Sequence, residues 1–199
     1  MALACLSLTN GELTRRHDAV VDAIARMAWM VGAQVRREVR GLNPDNKQRP
    51  DIQIAFPGRM LLTDVAVTYS LTPYYISATG SSAAVAQRRK RNKYASVASH
   101  LGAELLNVCV DACGGLASDA SKLVRAIGDE GEKWSAGTWS SDDIQRRLLS
   151  AIAVAVQRGN ALTMLTAFTR ATSTRVDQGR PTSGASEREG VRGRDEESE

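Results

Sequence analysis

The stretch RPDIQIAFPGRMLLTDVAV, Arg49 to Val67, restricts the fold more than any other part of the chain. Two apolar runs, DIQIAF and MLLTDVAVT, flank Pro57-Gly58, a dipeptide suited to the centre of a type II turn. They read as adjacent antiparallel strands of a hairpin. If Phe56 faces Arg59, the register carries Asp51 directly opposite Asp64. Type II turns suit two-residue hairpins poorly, so a one-residue shift or a bulge is the alternative. Parity supports direct pairing: Ile52, Ile54 and Phe56 share one face, leaving Asp51 and Gln53 on the other, and Asp64 shares its face with Leu62 and Ala66.

Two carboxylates opposed on a sheet repel, and more so when half-buried. The pair is tolerated if one is protonated or if a cation lies between them. Mg²⁺ takes one or two carboxylates and keeps several waters, which leaves room for phosphate oxygens. The plainer alternative makes Asp51 a loop-end residue capping its strand and turns Asp64 to solvent.

A basic segment bears on that choice. Gln87 to Lys93 reads QRRKRNK, five bases in seven residues, within a long helix expected from Ser82 to Leu106. At about 100° per residue, Lys90 lies at the centre of a stripe with Ala83, Ala86, Tyr94, Val97 and Leu101. Arg88 and Arg91 point away from this stripe, and Lys93 sits on its edge. A buried ammonium is costly without a partner, and the hairpin's aspartates are the obvious one. Arg88, Arg89 and Arg91 then form a solvated face or a phosphate-contacting one. Two acids, a metal and a lysine are what metal-assisted phosphodiester hydrolysis requires.

The rest of the chain frames this centre. A first helix is expected over about 12–31, with Val20, Val21, Ile24, Met27, Ala28 and Val31 on one face, Thr14 as N-cap and Gly32 as stop. His17 lies on that face and reads as a packed or capping residue rather than a ligand. AQVRREV suggests a first strand and LLNVCVDA a buried strand ending at Gly114-Gly115. Helices are expected over 118–128, 141–158 and 161–172. The order implies an α/β fold, a small mixed sheet flanked by helices. The domain is expected over 12–172, between an arm at 1–11 and a disordered polar tail at 173–199.

Net charge is +4, and Arg36, Arg37 and Arg40 add a second basic cluster, which favours a polyanionic partner. Three cysteines, Cys5, Cys109 and Cys113, make no disulfide framework, so free thiols in a reducing compartment are expected. No apolar stretch is expected to approach the ~18 residues of a membrane span, so no membrane partner is expected.

Six segments in order resemble one family. RPDI and TDVAV, with twelve residues between Asp51 and Asp64, resemble the core of PD-(D/E)xK nucleases. More specifically, the chain from about Leu13 to Ala171 resembles the restriction-like endonuclease at the C-terminal end of site-specific non-LTR retrotransposon polyproteins. LTRRHD is similar to the Arg-His-Asp/Asn segment leading into that domain, KRNKY to its lysine-tyrosine helix, DACGGL to its Gly-Gly turn and AIAVAVQRGNA to a helix near its end.

The resemblance implies a restriction-endonuclease-like αβββαβ core with C-terminal helices and a nuclear enzyme that nicks DNA to prime reverse transcription. The element's RNA is a second partner it allows. Asp51 and Asp64 would hold Mg²⁺ or Mn²⁺, Lys90 would be the catalytic lysine, Tyr94 would position it, and Lys93 competes for its role. Asp111 falls where such domains carry an acid beside the Gly-Gly turn, and is expected to be structural or to support the metal ligands. Most nucleases of the broader class have lysine two residues after the second acid, where this chain has Ala66. The retrotransposon endonucleases supply it from the following helix, as Lys90 would. Their domain normally follows a reverse transcriptase and a Cys-Cys-His-Cys zinc knuckle, neither of which this sequence contains. A detached fragment of an element is therefore expected, either an active nuclease or an inactive DNA-binding module of the same fold.

Overall fold

The computed structural model describes residues 10–38, 49–76 and 80–178. The chain opens with α1 (Asn10–Met30), which buries Val20, Val21, Ile24, Met27 and Ala28 as the periodicity requires. Thr14 lies inside this helix, which begins earlier than expected at Asn10, and the helix ends before Gly32. Next come β1 (Gln34–Arg37), β2 (Ile52–Phe56), β3 (Arg59–Thr63) and β4 (Val65–Thr68). The short α2 (Pro73–Ile76) and the basic α3 (Ser82–His100) follow, then β5 (Glu104–Leu105), β6 (Val108–Asp111), α4 (Ser118–Trp134) and α5 (Ser141–Gln178). The fold is mixed α/β, with a small mixed sheet and five helices.

The hairpin has the expected register, from Phe56 opposite Arg59 to Ile52 opposite Thr63, with neither shift nor bulge. Gly58 takes φ +76°, the left-handed value that a type II turn needs at its third residue. β1 pairs antiparallel with β2, and β5 parallel with β3, giving the order β1-β2-β3-β5.

Two expected strands prove to be broken. MLLTDVAVT divides at Asp64 into β3 and β4, and LLNVCVDA divides at Leu106-Asn107 into β5 and β6. β4 and β6 form a parallel two-stranded sheet of their own. The register survives the break, because Leu61 pairs with Glu104 and Val65 with Val108, the same offset of 43 residues. Leu106 N–H donates to the Leu62 carbonyl (2.9 Å) and Val108 N–H to the Asp64 carbonyl (3.1 Å). Between them the buried Thr63 hydroxyl donates to the Leu106 carbonyl (2.9 Å), a side-chain bond in place of a ladder bond. The two halves are one ribbon that bends at Asp64.

Alternation along this ribbon divides the core. Ile54, Leu61, Val65, Val108 and Val110 face α1, α4 and α5, where Ile24, Leu123, Ile127 and Leu148 meet them. On the other side Leu62 packs on Val97 and Ala98 of α3, and Cys109 on Ala83 and Ala86. Cys109 is a buried free thiol, its pKa pushed up to about 12 by burial, so it acts as a small core residue.

Three helices differ from expectation. α3 stops at His100, where the Ala103 N–H turns back to the Ala98 carbonyl, and Glu104 and Leu105 join the sheet. α4 runs on to Trp134 rather than ending near residue 128. α5 is continuous through Gly159-Asn160, a dipeptide that had suggested a boundary. Gly159 serves close approach instead, since a Cβ there would lie 2.4 Å from Cγ of Arg16. α5 also passes the expected tail boundary at Ser173. The arm residues 1–9, Arg40, most of the loop before Arg49 and the tail from 179 lie outside the described residues.

One stretch is more apolar than the sequence reading allowed. Ser141–Arg170 contains a window of mean hydropathy 1.3, long and apolar enough by composition to cross a bilayer. Its inner seam, Ile144, Leu148, Ile152 and Val156, packs in the protein core.

Candidate active site

Asp51 lies just before β2 and Asp64 at the ribbon's bend, one step beyond the last pair of the hairpin ladder. The side chain of Asp64 is buried, and that of Asp51 is about one-fifth exposed, at 21%. Burial raises the Asp64 pKa and the Asp51 charge raises it further, against the opposing pull of Lys90. The plainer reading, with Asp64 in solvent, is therefore overturned.

The helix delivers the expected cation. The Lys90 ammonium forms an ion pair with Asp64 Oδ2. Lys93 is placed differently, with its ammonium 4.6 Å from the centre of the Tyr94 ring. Of the two competing lysines, it is Lys90 that meets the carboxylates. Tyr94 is buried, and its hydroxyl donates to the Arg49 carbonyl (3.0 Å), fixing the chain that leads into Asp51. Its phenol is pushed upward by burial first and then by the charge of Asp64.

His17 neither caps α1 nor packs as a core residue. Its Nε2 is 3.0 Å from Asp51 Oδ2 and its Nδ1 is 3.0 Å from Asp18 Oδ1. The hydrogen bond to Asp51 lifts its pKa to about 9, so at neutral pH both ring nitrogens donate. The Val65 N–H also donates to Asp51 Oδ2 (2.6 Å), joining the carboxylate to the first residue of β4. Burial alone would raise the Asp51 pKa, but His17, the Val65 N–H and the Lys90 charge outweigh it and lower it. The RHD of LTRRHD marked this residue, but its partner is 34 residues away and periodicity gave no sign of it.

Asn107 is a residue that the sequence did not single out. It is fully buried, and both ends of its carboxamide lack a hydrogen-bond partner. The ribbon's offset places it across from Asp64. A lone asparagine in the apolar run LLNVCV was its only sequence signal.

The remaining candidates lie farther out. Asp111 accepts hydrogen bonds from the Ser70 N–H (3.1 Å), the Ser70 hydroxyl (2.6 Å), the Ser82 hydroxyl (2.7 Å) and the Cys113 N–H (2.8 Å). It ties the end of β6 to the start of α3. Arg91 pairs with the buried Asp119 at the start of α4 (2.6 Å). Arg88 is exposed, and Arg89 lies over the Tyr74 ring, 5.5 Å from its centre.

The donor set suits a hard divalent ion. Asp51 and Asp64 offer carboxylate oxygens, and Asp64 Oδ2 is buried with no well-directed hydrogen bond beyond its contact with Lys90. Among the described residues no three His, Cys, Asp or Glu side chains gather as a metal-ligand group, so an ion would rest on two carboxylates, with water and substrate oxygens completing its shell. Comparison with protein-family models and with curated proteins found no match.

Proposed function

We propose that the protein is a divalent-metal-dependent DNA endonuclease with a restriction-endonuclease-like core, of the kind that nicks target DNA for a non-LTR retrotransposon. The observation that carries this reading is Lys90, which crosses from α3 to pair with Asp64 beside Asp51. Nuclear location and association with the element's RNA follow from the same proposal. In this scheme Asp51 and Asp64 would hold Mg²⁺ or Mn²⁺, which when bound would polarise the scissile phosphate and lower the pKa of a water. Lys90 is then released from Asp64 to steady the attacking oxygen or the charge developing on phosphate. His17 and the Val65 N–H keep Asp51 ionised and aimed. Arg88 and Arg89 contact the DNA backbone, while Arg91 maintains the α3–α4 joint through Asp119.

Supercoiled plasmid incubated with Mg²⁺ or Mn²⁺ tests the proposal. The wild type is expected to open the circle and Asp64→Ala to leave it closed; equal, slow relaxation by both proteins would overturn catalysis. A second reading, an inactive DNA-binding module, is favoured by the way His17 and Lys90 already balance the two carboxylates. It predicts steeply salt-dependent binding that alanine at both aspartates leaves unchanged.

A further inference from the structure

Beside Lys90, a cavity of about 330 Å³ is lined by Ala66, Tyr75, Ala86, Arg89, Lys90 and Lys93. Its lining combines two alanines, one tyrosine and three cations. The aromatic wall is braced from behind. Tyr74 meets Tyr75 edge to face, with ring centres 5.0 Å apart and planes at 81°, and Arg89 lies over Tyr74. Leu71, Tyr74 and Ile76 continue the wall as an exposed apolar edge around α2. A face that reads only backbone phosphates needs cations and no aromatic wall. Rings next to cations are the surface that takes unstacked bases, with stacking worth about 1–3 kcal/mol per base.

From this arrangement we infer that the cavity accepts one unpaired nucleotide of DNA, its base against Tyr75 and its phosphate between Arg89 and Lys93. The inference rests on the DNA-binding part of the proposed function and gives it a substrate class: duplex carrying a flap, bulge or fork beside the cleft. In a continuous duplex the bases stay stacked, so Tyr75 has nothing to hold. A nucleotide already unpaired enters without the cost of breaking a pair.

Binding measured in EDTA separates this inference from catalysis. Fluorescence anisotropy is recorded with the full chain on a fully paired duplex and on the same duplex bearing a single-stranded flap. The wild type is expected to bind the flapped form about tenfold tighter, as one stacked base implies. Tyr75→Ala brings the ratio to about one, and Tyr75→Phe restores it, which separates loss of the ring from misfolding. Asp64→Ala keeps the preference, so a preference without any plasmid cleavage sustains the pocket while the nuclease reading falls. Equal binding of both DNAs by the wild type, or a preference that survives in Tyr75→Ala, overturns the inference.

Discussion

Asp64 and Asp111 stand at opposite ends of one pair of parallel strands, β4 and β6, and their surroundings differ in kind. Asp111 is met by two hydroxyls and two backbone N–H groups, which together outweigh burial and lower its pKa. All those donors are short and fixed, so its charge is part of the fold's framework. Among the described residues Asp64 forms an ion pair with one cation, at the end of a long side chain, with the Tyr94 phenol beside it, and its pKa is raised. A buried carboxylate whose ion-pair partner can swing away is suited to exchanging that partner for another cation. Shifted acids with a specific charge partner concentrate at functional sites for this reason.

The sharpest way to break the comparison is to remove the ammonium. Lys90→Met strands a buried carboxylate and is expected to lower stability by about 3 kcal/mol in urea unfolding with EDTA present. A loss below about 0.5 kcal/mol, typical of surface changes, would mean that Asp64 does not depend on Lys90. Neutralising each acid in turn comes next. Asp111→Asn turns an acceptor into a donor among donors and is expected to cost about 2 kcal/mol. Asp64→Asn should act in the other direction, stabilising by about 1 kcal/mol at neutral pH. A raised folded pKa means that ionisation favours the unfolded chain, so this gain is present above the folded pKa and fades below the unfolded value of 3.8. Changes of the same sign in both variants would erase the distinction.

A pH-dependent effect concerns His17. Its pKa rises from 6.5 to about 9 on folding. The stability it contributes is therefore complete below pH 6.5 and is lost as pH climbs through about 9. In EDTA, the gap in melting temperature between wild type and His17→Gln should close over that window. A gap independent of pH would show that the contact with Asp51 is not charged.

What the sequence conveyed depended on how local the cause was. Alternation in DIQIAF and the Pro57-Gly58 turn fixed the hairpin register, and one lysine on an apolar helical stripe pointed to Asp64. The break at Asp64 was hidden because both halves of MLLTDVAVT are apolar and keep one register. Gly159-Asn160 misled because its glycine makes room for Arg16 rather than ending a helix. The role of His17 and the place of Asn107 were missed because both depend on groups brought near only by the folded chain.

The close approach of Gly159 to Arg16, the residue before His17, has a consequence for how the molecule is made. Arg16 donates to Asn160 of α5 (2.9 Å), 144 residues later, and Asn160 donates to the Ala112 carbonyl just past β6 (2.7 Å). During synthesis the acidic hairpin and the lysine helix leave the ribosome well before α5 does. Until Asn160 emerges, Arg16 lacks this hydrogen bond, and the stretch of α1 that carries the adjacent histidine is without its tie to α5. The full set of contacts around the centre therefore awaits α5, although nearly all the centre's side chains are translated early.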